Sequence, residues 1–400
     1  MCAQKQLRPP QTPLSSTTQA PSLAATFTET ITTGPLPKGC VLCAQGRKSV
    51  LYVTGLCPRA CFYCPLSEEK NKKDITAINE WETKNTEDII QEITLCQSRG
   101  LGITGGDPLM RIERTTSLIT ACKQAFGPDF HIHLYTSLNL FIPKLLQPLF
   151  EAGLDEIRIH PDLESTTLWE RIPNGSRYSW TFGIEIPALP GKEETIRRLI
   201  TYAKDHVSFV NLNELETSET NAQALAKQGL RKLPGTTHAI EGSRATALRI
   251  IDYCKQEKLT PPLTIHFCPS RFKDAVQMRK RLLLRAQSVK HPFDTITEDG
   301  MLKRGVLYPD TLVPGTRYRE RLAKHRKEAL AHLHRIKARI TAQHRINPAT
   351  LIIDENKPRI ICPEKTAKRL VPALRHLGLV AAVVEEYPTK DALDVEITFL

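Results

Sequence analysis

Two hydrophobic periods take turns along the first two thirds of the chain. Short β-branched or aromatic runs are followed by longer stretches with an apolar residue every three or four positions. The run SVLYVTG (49–55) reads as a buried strand that ends in glycine and feeds a loop. Further strands are expected at 100–104, 129–137, 154–161, 180–191 and 208–216, with helices at 86–99, 112–126, 142–152 and 193–206. Glu87 and Asp88 in the first turn of 86–99 suit a helix N-terminus. Strand–helix repetition of this kind predicts an α/β protein built from parallel β/α units.

The strand runs are not purely apolar. His131, His133 and Tyr135 alternate, so they share one face. Arg158 and His160 repeat the pattern on the next strand, and Asn211 and Asn213 on the sixth, followed by Glu214 and Glu216. Each alone can be a satisfied core residue. Together, at adjacent strands, they predict a polar cavity.

Composition adds boundaries. No apolar run of about 18 residues is present, so no membrane span is expected. Residues 1–34 are rich in Ser, Thr and Pro without an apolar signal core, and are expected to be a disordered tail of a cytoplasmic protein. The net charge of +12 is concentrated: 271–290 has a surplus of six basic residues and 316–346 a surplus of eight. A concentrated basic surface suits a polyanion. Segment 316–346 reads as a helix with an apolar stripe (Leu322, Leu330, Leu333, Ile336, Ile340) and a basic outer face. Beyond it, 351–353, 359–362, 363–376, 379–387 and 393–400 alternate as a small α/β unit. The expected division is a tail at 1–34, a barrel with its N-terminal segment at 35–290, and a C-terminal module at 291–400.

Eleven cysteines are many for an intracellular chain, and five fall within 40–64. Clustering at ligand spacing favours metal over disulfides. Cys57, Cys61 and Cys64 sit in GLCPRACFYCP, directly after the first strand. Three thiolates satisfy three irons of a four-iron cluster and leave the fourth open to a small molecule. A structural zinc site wants four ligands.

This stretch, with Tyr63 before the third cysteine, resembles the signature of the radical S-adenosylmethionine (SAM) superfamily. The resemblance implies a partial (β/α)6 barrel over about 48–267, a [4Fe-4S] cluster on Cys57, Cys61 and Cys64, and SAM bound at its open iron. It implies reductive cleavage of SAM to a 5′-deoxyadenosyl radical, and an electron donor of ferredoxin or flavodoxin type. Gly105-Gly106-Asp107-Pro108 is similar to the family's Gly-Gly-Glu-Pro motif, which holds the SAM ammonium, with the shorter Asp107 in place of Glu. GIEIP, containing Gly183 and Glu185, is similar to the segment that packs on adenine. His131, His133, Arg158, His160, Asn211 and Asn213 become candidates for contacts to SAM or substrate. The wording of 39–70, ITGGDPL, FHIHLYTS and EAGLDEIRIHP resembles an archaeal group related to pyruvate formate-lyase activating enzymes.

Cys40-x2-Cys43, with glycines on either side, reads as half of a second metal site, zinc or an auxiliary iron–sulfur cluster. Cys268 is the expected third ligand and His266 or Cys254 the fourth. RNA is the substrate class the basic segments favour, with a partner protein as the alternative. The competing class is a non-catalytic zinc adaptor for nucleic acid.

Overall fold

The computed structural model describes residues 30–234 and 238–400, which form two sheets with their helices. Seven parallel strands build the first sheet: β1 (Lys48–Tyr52), β2 (Gly100–Thr104), β3 (His131–Ser137), β4 (Glu156–His160), β5 (Thr181–Pro187), β6 (Phe209–Asn213) and β7 (Thr264–Cys268). They lie side by side in chain order, each parallel to the next. The six expected strands are all present, and a seventh, Thr264–Cys268, extends the sheet beyond β6. Helices Thr86–Leu95, Ile112–Phe126, Pro143–Glu151, Glu193–Ala203 and Ser243–Gln256 return the chain.

Period-two alternation decides which face is which. Ile132 and Leu134, Ile157 and Ile159, Ile184 and Ile186, and Val210 and Leu212 are all fully buried in the main apolar core. Each such side chain contributes roughly 1.5–3 kcal/mol by leaving water. Their polar neighbours turn to the other face, where the curled sheet encloses a lumen.

The sheet is open at both ends. The hairpin of Ala77–Ile78 and Trp81–Glu82 edges β1, and Ile31–Thr32 pairs antiparallel with β7. Ile31–Thr32 thus join the sheet although they fall within the expected tail 1–34; residues 1–29 of that tail lie outside the described residues. Residues 33–47 run from the free edge of β7 to the start of β1, carrying the helix Lys38–Ala44. Gly39 lets this helix lie tight against the sheet: a Cβ there would stand 2.7 Å from both Arg158 Nη2 and His133 Nδ1. Cys40 and Cys43 are thus on a helix, not on a free turn.

The second sheet is antiparallel, in the order Ile352–Asp354, Arg359–Cys362, Leu302–Pro309, Leu379–Glu386, Asp394–Phe399. Its central strand Leu302–Pro309 was not expected. Helices Tyr318–His344 and Glu364–Leu374 pack on one face through Leu333, Ile336, Ile340, Leu370 and Leu374. Leu322 and Leu330 of the expected stripe are only half-buried, and Ala329 is buried instead.

Candidate active site

Side chains from all seven parallel strands line one cavity of about 480 Å³ at the carboxyl ends of the sheet. They include Lys48, Thr104, Tyr135, Arg158, Glu185, Asn211 and Cys268. Placement at strand carboxyl ends is the rule for catalytic cavities in barrels. The cysteine loop forms one wall, and all three thiols reach the cavity. Cys57 and Cys64 are exposed and Cys61 half-buried, each a free thiol.

The loop has no secondary structure of its own, so its position depends on anchors. Arg59 Nη1 donates to the His160 carbonyl at 2.7 Å, and Arg59 Nη2 lies 3.4 Å from Asp162. Asn221 Nδ2 donates to the Tyr63 carbonyl at 3.0 Å. Tyr63 and His160 Nε2 are 2.9 Å apart, while His160 Nδ1 lies 2.8 Å from the Glu185 carbonyl. A carbonyl only accepts, so Nδ1 carries the proton and Nε2 accepts from the Tyr63 hydroxyl. Burial and the neighbouring Arg59 push the His160 imidazole down to about 4, which keeps it neutral and this bond intact.

Gly105 and Gly106 hold the other side of the loop. Gly106 N–H donates to the Thr54 carbonyl at 2.7 Å and Asp107 N–H to the Leu56 carbonyl at 2.8 Å. A Cβ on Gly105 would meet Thr54 O at 2.4 Å, and one on Gly106 would meet Leu56 O at 2.4 Å. Only glycine permits this backbone-to-backbone approach. Asp107 does not face the cavity. It is buried and accepts from Leu109 N–H at 3.1 Å, Thr136 Oγ1 at 2.9 Å, and Ser137 N–H and Oγ at 2.9 and 2.7 Å. In this position Asp107 caps the turn Pro108–Arg111 and ties β2 to β3.

The opposite wall is a charged network. Arg158 Nη1 donates to Glu185 at 2.7 Å and Nε to Glu156 at 2.6 Å. Glu185 also accepts from Asn211 and Asn213, both at 2.9 Å. Burial opposes ionisation, but Arg158 and the two amides hold the Glu185 carboxyl down at about 2. Glu156 is held low by Arg158 and His131 against a similar burial cost. The site therefore presents a fixed carboxylate with oriented amides, able to receive hydroxyl or ammonium groups without reorganisation.

Arg158, His160, Glu185, Asn211 and Asn213 come together as expected, at the cavity wall. His131 and His133 point into the lumen but are buried beneath the helix Lys38–Ala44, against Glu156 and Tyr135. They do not border the cavity. Nor does Gly183: a Cβ there would stand 2.3 Å from the Phe209 ring, so this glycine makes room for that phenylalanine. Glu156, Lys48, Arg59 and Asn221 were missed. Glu156 shared the period-two register of Arg158, a signal that could have found it.

Of the second cysteine group, Cys40, Cys43, Cys268 and His266 all line this cavity, whereas Cys254 belongs to the apolar core. Among the described residues, no three His, Cys, Asp or Glu side chains already converge at the distances of a single ion.

The basic segment 271–290 is largely spent within the fold. Lys273 pairs with Glu216 at 2.7 Å, Arg285 with Glu92 at 2.7 Å, and the buried Arg281 with Glu80. Arg279 and Lys280 bond the carbonyls of Glu298 and Ala44. Among the described residues, no helix is long and apolar enough to cross a membrane.

The sequence pattern of the radical SAM superfamily matches residues 51–178, the cysteine loop through the fourth strand. A Methanocaldococcus jannaschii protein provisionally named glycyl-radical enzyme activating enzyme MJ0021 is 39% identical over 90% of this chain and 92% of its own length. GTP 3′,8-cyclase of Lactiplantibacillus plantarum is 30% identical over 31% of this chain and 36% of its own. Among solved structures, SuiB of Streptococcus suis superposes on 56% of this chain and 49% of its own with a TM-score of 0.38 at 13% identity. The chain belongs to the radical SAM superfamily, and within it to the family of the Methanocaldococcus relative. It is an iron–sulfur enzyme that uses SAM.

The residues present fit the cluster. Three soft donors on one loop open onto a shared cavity, with the loop backbone pinned from both sides by Gly106, Arg59 and Tyr63. Burial pushes the Cys57 thiol up to about 11 and raises Cys61 too, so loading must displace protons from these thiols.

Proposed function

We propose that this enzyme abstracts a hydrogen atom from a polypeptide segment of a partner protein, presented at the mouth of the barrel. Near-full-length similarity to a protein named for glycyl-radical activation carries the reading. When bound, the cluster and SAM supply the 5′-deoxyadenosyl radical after one electron arrives from a ferredoxin- or flavodoxin-type donor. Cys57, Cys61 and Cys64 hold the cluster. The backbone of Gly105 and Gly106, Glu185 and Asn213 position SAM, and the wall from Arg158 to Asn211 orients what enters beside it. The Tyr63–His160 bond keeps the cluster loop fixed to that wall.

RNA is the weaker reading. The segment 271–290 that favoured it is consumed by Glu216, Glu80 and Glu92. It retains only the outer face of Tyr318–His344, where Arg335 and Arg339 are exposed.

Deuterium transfer separates the two. Source cells are grown on α-deuterated glycine, and their protein and RNA fractions are offered separately to the reduced enzyme with SAM. The proposal expects deuterium in 5′-deoxyadenosine with the protein fraction and a glycine-centred radical in that fraction. RNA labelled at the ribose giving the transfer instead, with none from protein, overturns it.

A further inference from the structure

We propose that Cys40, Cys43, Cys268 and His266 form a second metal centre inside the barrel, taking a thiolate-loving metal as zinc or as an iron–sulfur cluster. None of the four lies within the segment that matches the superfamily, residues 51–178. Their convergence is a product of the fold. Cys40 and Cys43 are three apart on the helix Lys38–Ala44, hence on one face. His266 and Cys268 are two apart on β7, hence also on one face. Both pairs look into the same cavity.

Asn211 joins the pairs. Its Nδ2 lies 3.4 Å from Cys40 Sγ and 2.9 Å from Glu185, and its Oδ1 lies 3.2 Å from His266 Nδ1. Glu185 is held ionised and can only accept, which fixes the amide nitrogen on that side and the oxygen towards His266. His266 Nδ1 must then carry the proton. Its Nε2 is left as a bare lone pair, in a residue only 3% exposed, and has no hydrogen-bond partner. An imidazole whose Nδ1–H is fixed by a carbonyl oxygen, with Nε2 free, is the tautomer of a metal ligand. A buried acceptor left in this state is otherwise destabilising.

Cys40 Sγ also has two donors aimed at it. Arg158 Nη2 and Asn211 Nδ2 both point at Cys40 Sγ, each at 3.4 Å. Lys48, buried in the lumen, lines the same cavity and forms no ion pair with a carboxylate among the described residues. The side chains are not yet at single-ion distances, as is equally true of Cys57, Cys61 and Cys64. Metal would draw the helix to β7 and so fasten the segment that spans the open edges of the sheet.

The test uses the full chain with Cys57→Ala, Cys61→Ala and Cys64→Ala together, which removes the first cluster. It is loaded anaerobically in two arms, with cobalt(II) as a probe for zinc and with iron plus sulfide. The proposal expects thiolate-to-cobalt charge-transfer absorption, or an iron–sulfur chromophore, in one arm. It also expects that metal shields Cys40, Cys43 and Cys268 from alkylation, read by mass spectrometry, which needs no further substitution. Adding Cys40→Ser and Cys43→Ser should abolish the signal. Asn211→Ala should weaken loading by about 10–100-fold, the usual cost of losing an outer-shell partner. No binding in either arm, metal that leaves these thiols open to alkylation, or binding that survives Cys40→Ser/Cys43→Ser overturns the proposal.

Discussion

Asp107→Asn separates a carboxylate that binds SAM from one that holds the fold. The structure gives Asp107 four donors: the N–H groups of Leu109 and Ser137 and the hydroxyls of Thr136 and Ser137. Asparagine keeps the shape but turns one oxygen into a donor. The hydroxyls can rotate to accept from it; a backbone N–H cannot. One of the two N–H groups is therefore left buried without an acceptor, at a cost of about 1–3 kcal/mol. Burial pushes the Asp107 carboxyl up, so losing its charge relieves part of a desolvation cost and places the net loss in the lower half of that range. Asp107→Ala orphans both N–H groups and should cost about twice as much. Urea unfolding of the metal-free protein reads both. The expected order is wild type, then Asn, then Ala, with SAM affinity of the folded, loaded Asn variant within a few-fold of wild type. An unchanged unfolding midpoint with a large loss of SAM affinity would refute the reasoning and return Asp107 to the SAM ammonium.

Replacing Cys57, Cys61 or Cys64 by Ala should each abolish SAM cleavage, measured as 5′-deoxyadenosine, because each anchors a different iron. The His160 imidazole is pushed down to about 4 from an ordinary 6.5, so the unfolded chain takes up a proton first. Its contribution is present above pH 6.5 and is lost as pH falls towards 4, by up to about 3 kcal/mol at 1.36 kcal/mol per pH unit. His160→Gln should flatten that limb of the melting-temperature profile, and parallel wild-type and variant profiles would contradict the assignment. Glu92 and Arg285 form a buried pair at 2.7 Å, so Arg285→Ala should cost about 3–5 kcal/mol in denaturant unfolding.

Much of the barrel was legible because two periods, 2 and 3.6, report burial directly. His131 with His133, Arg158 with His160 and Asn211 with Asn213 announced the polar lumen two residues at a time. What the pattern could not carry was depth. His131 and His133 share a face with Tyr135, yet the helix Lys38–Ala44 roofs them over, and only long-range packing decides that. The helix itself was hidden by its brevity and by Pro37 and Gly39, which read as turn signals. Leu302–Pro309 was hidden because Lys303 and Arg304 break its alternation. Arg304 is buried there, tied to Asp294 and Glu386, and ionic burial leaves no hydrophobic trace. Basic residues in 271–290 misled for the same reason: sequence shows charge but not the partner that neutralises it.

The most direct test of the account is anaerobic reduction of the iron-loaded protein with SAM alone, followed by mass-spectrometric measurement of 5′-deoxyadenosine and methionine. Wild type should form both in equal amounts, and Cys61→Ala neither. A wild-type protein that carries its intact four-iron cluster, binds SAM and still forms no 5′-deoxyadenosine under reduction would contradict the central claim.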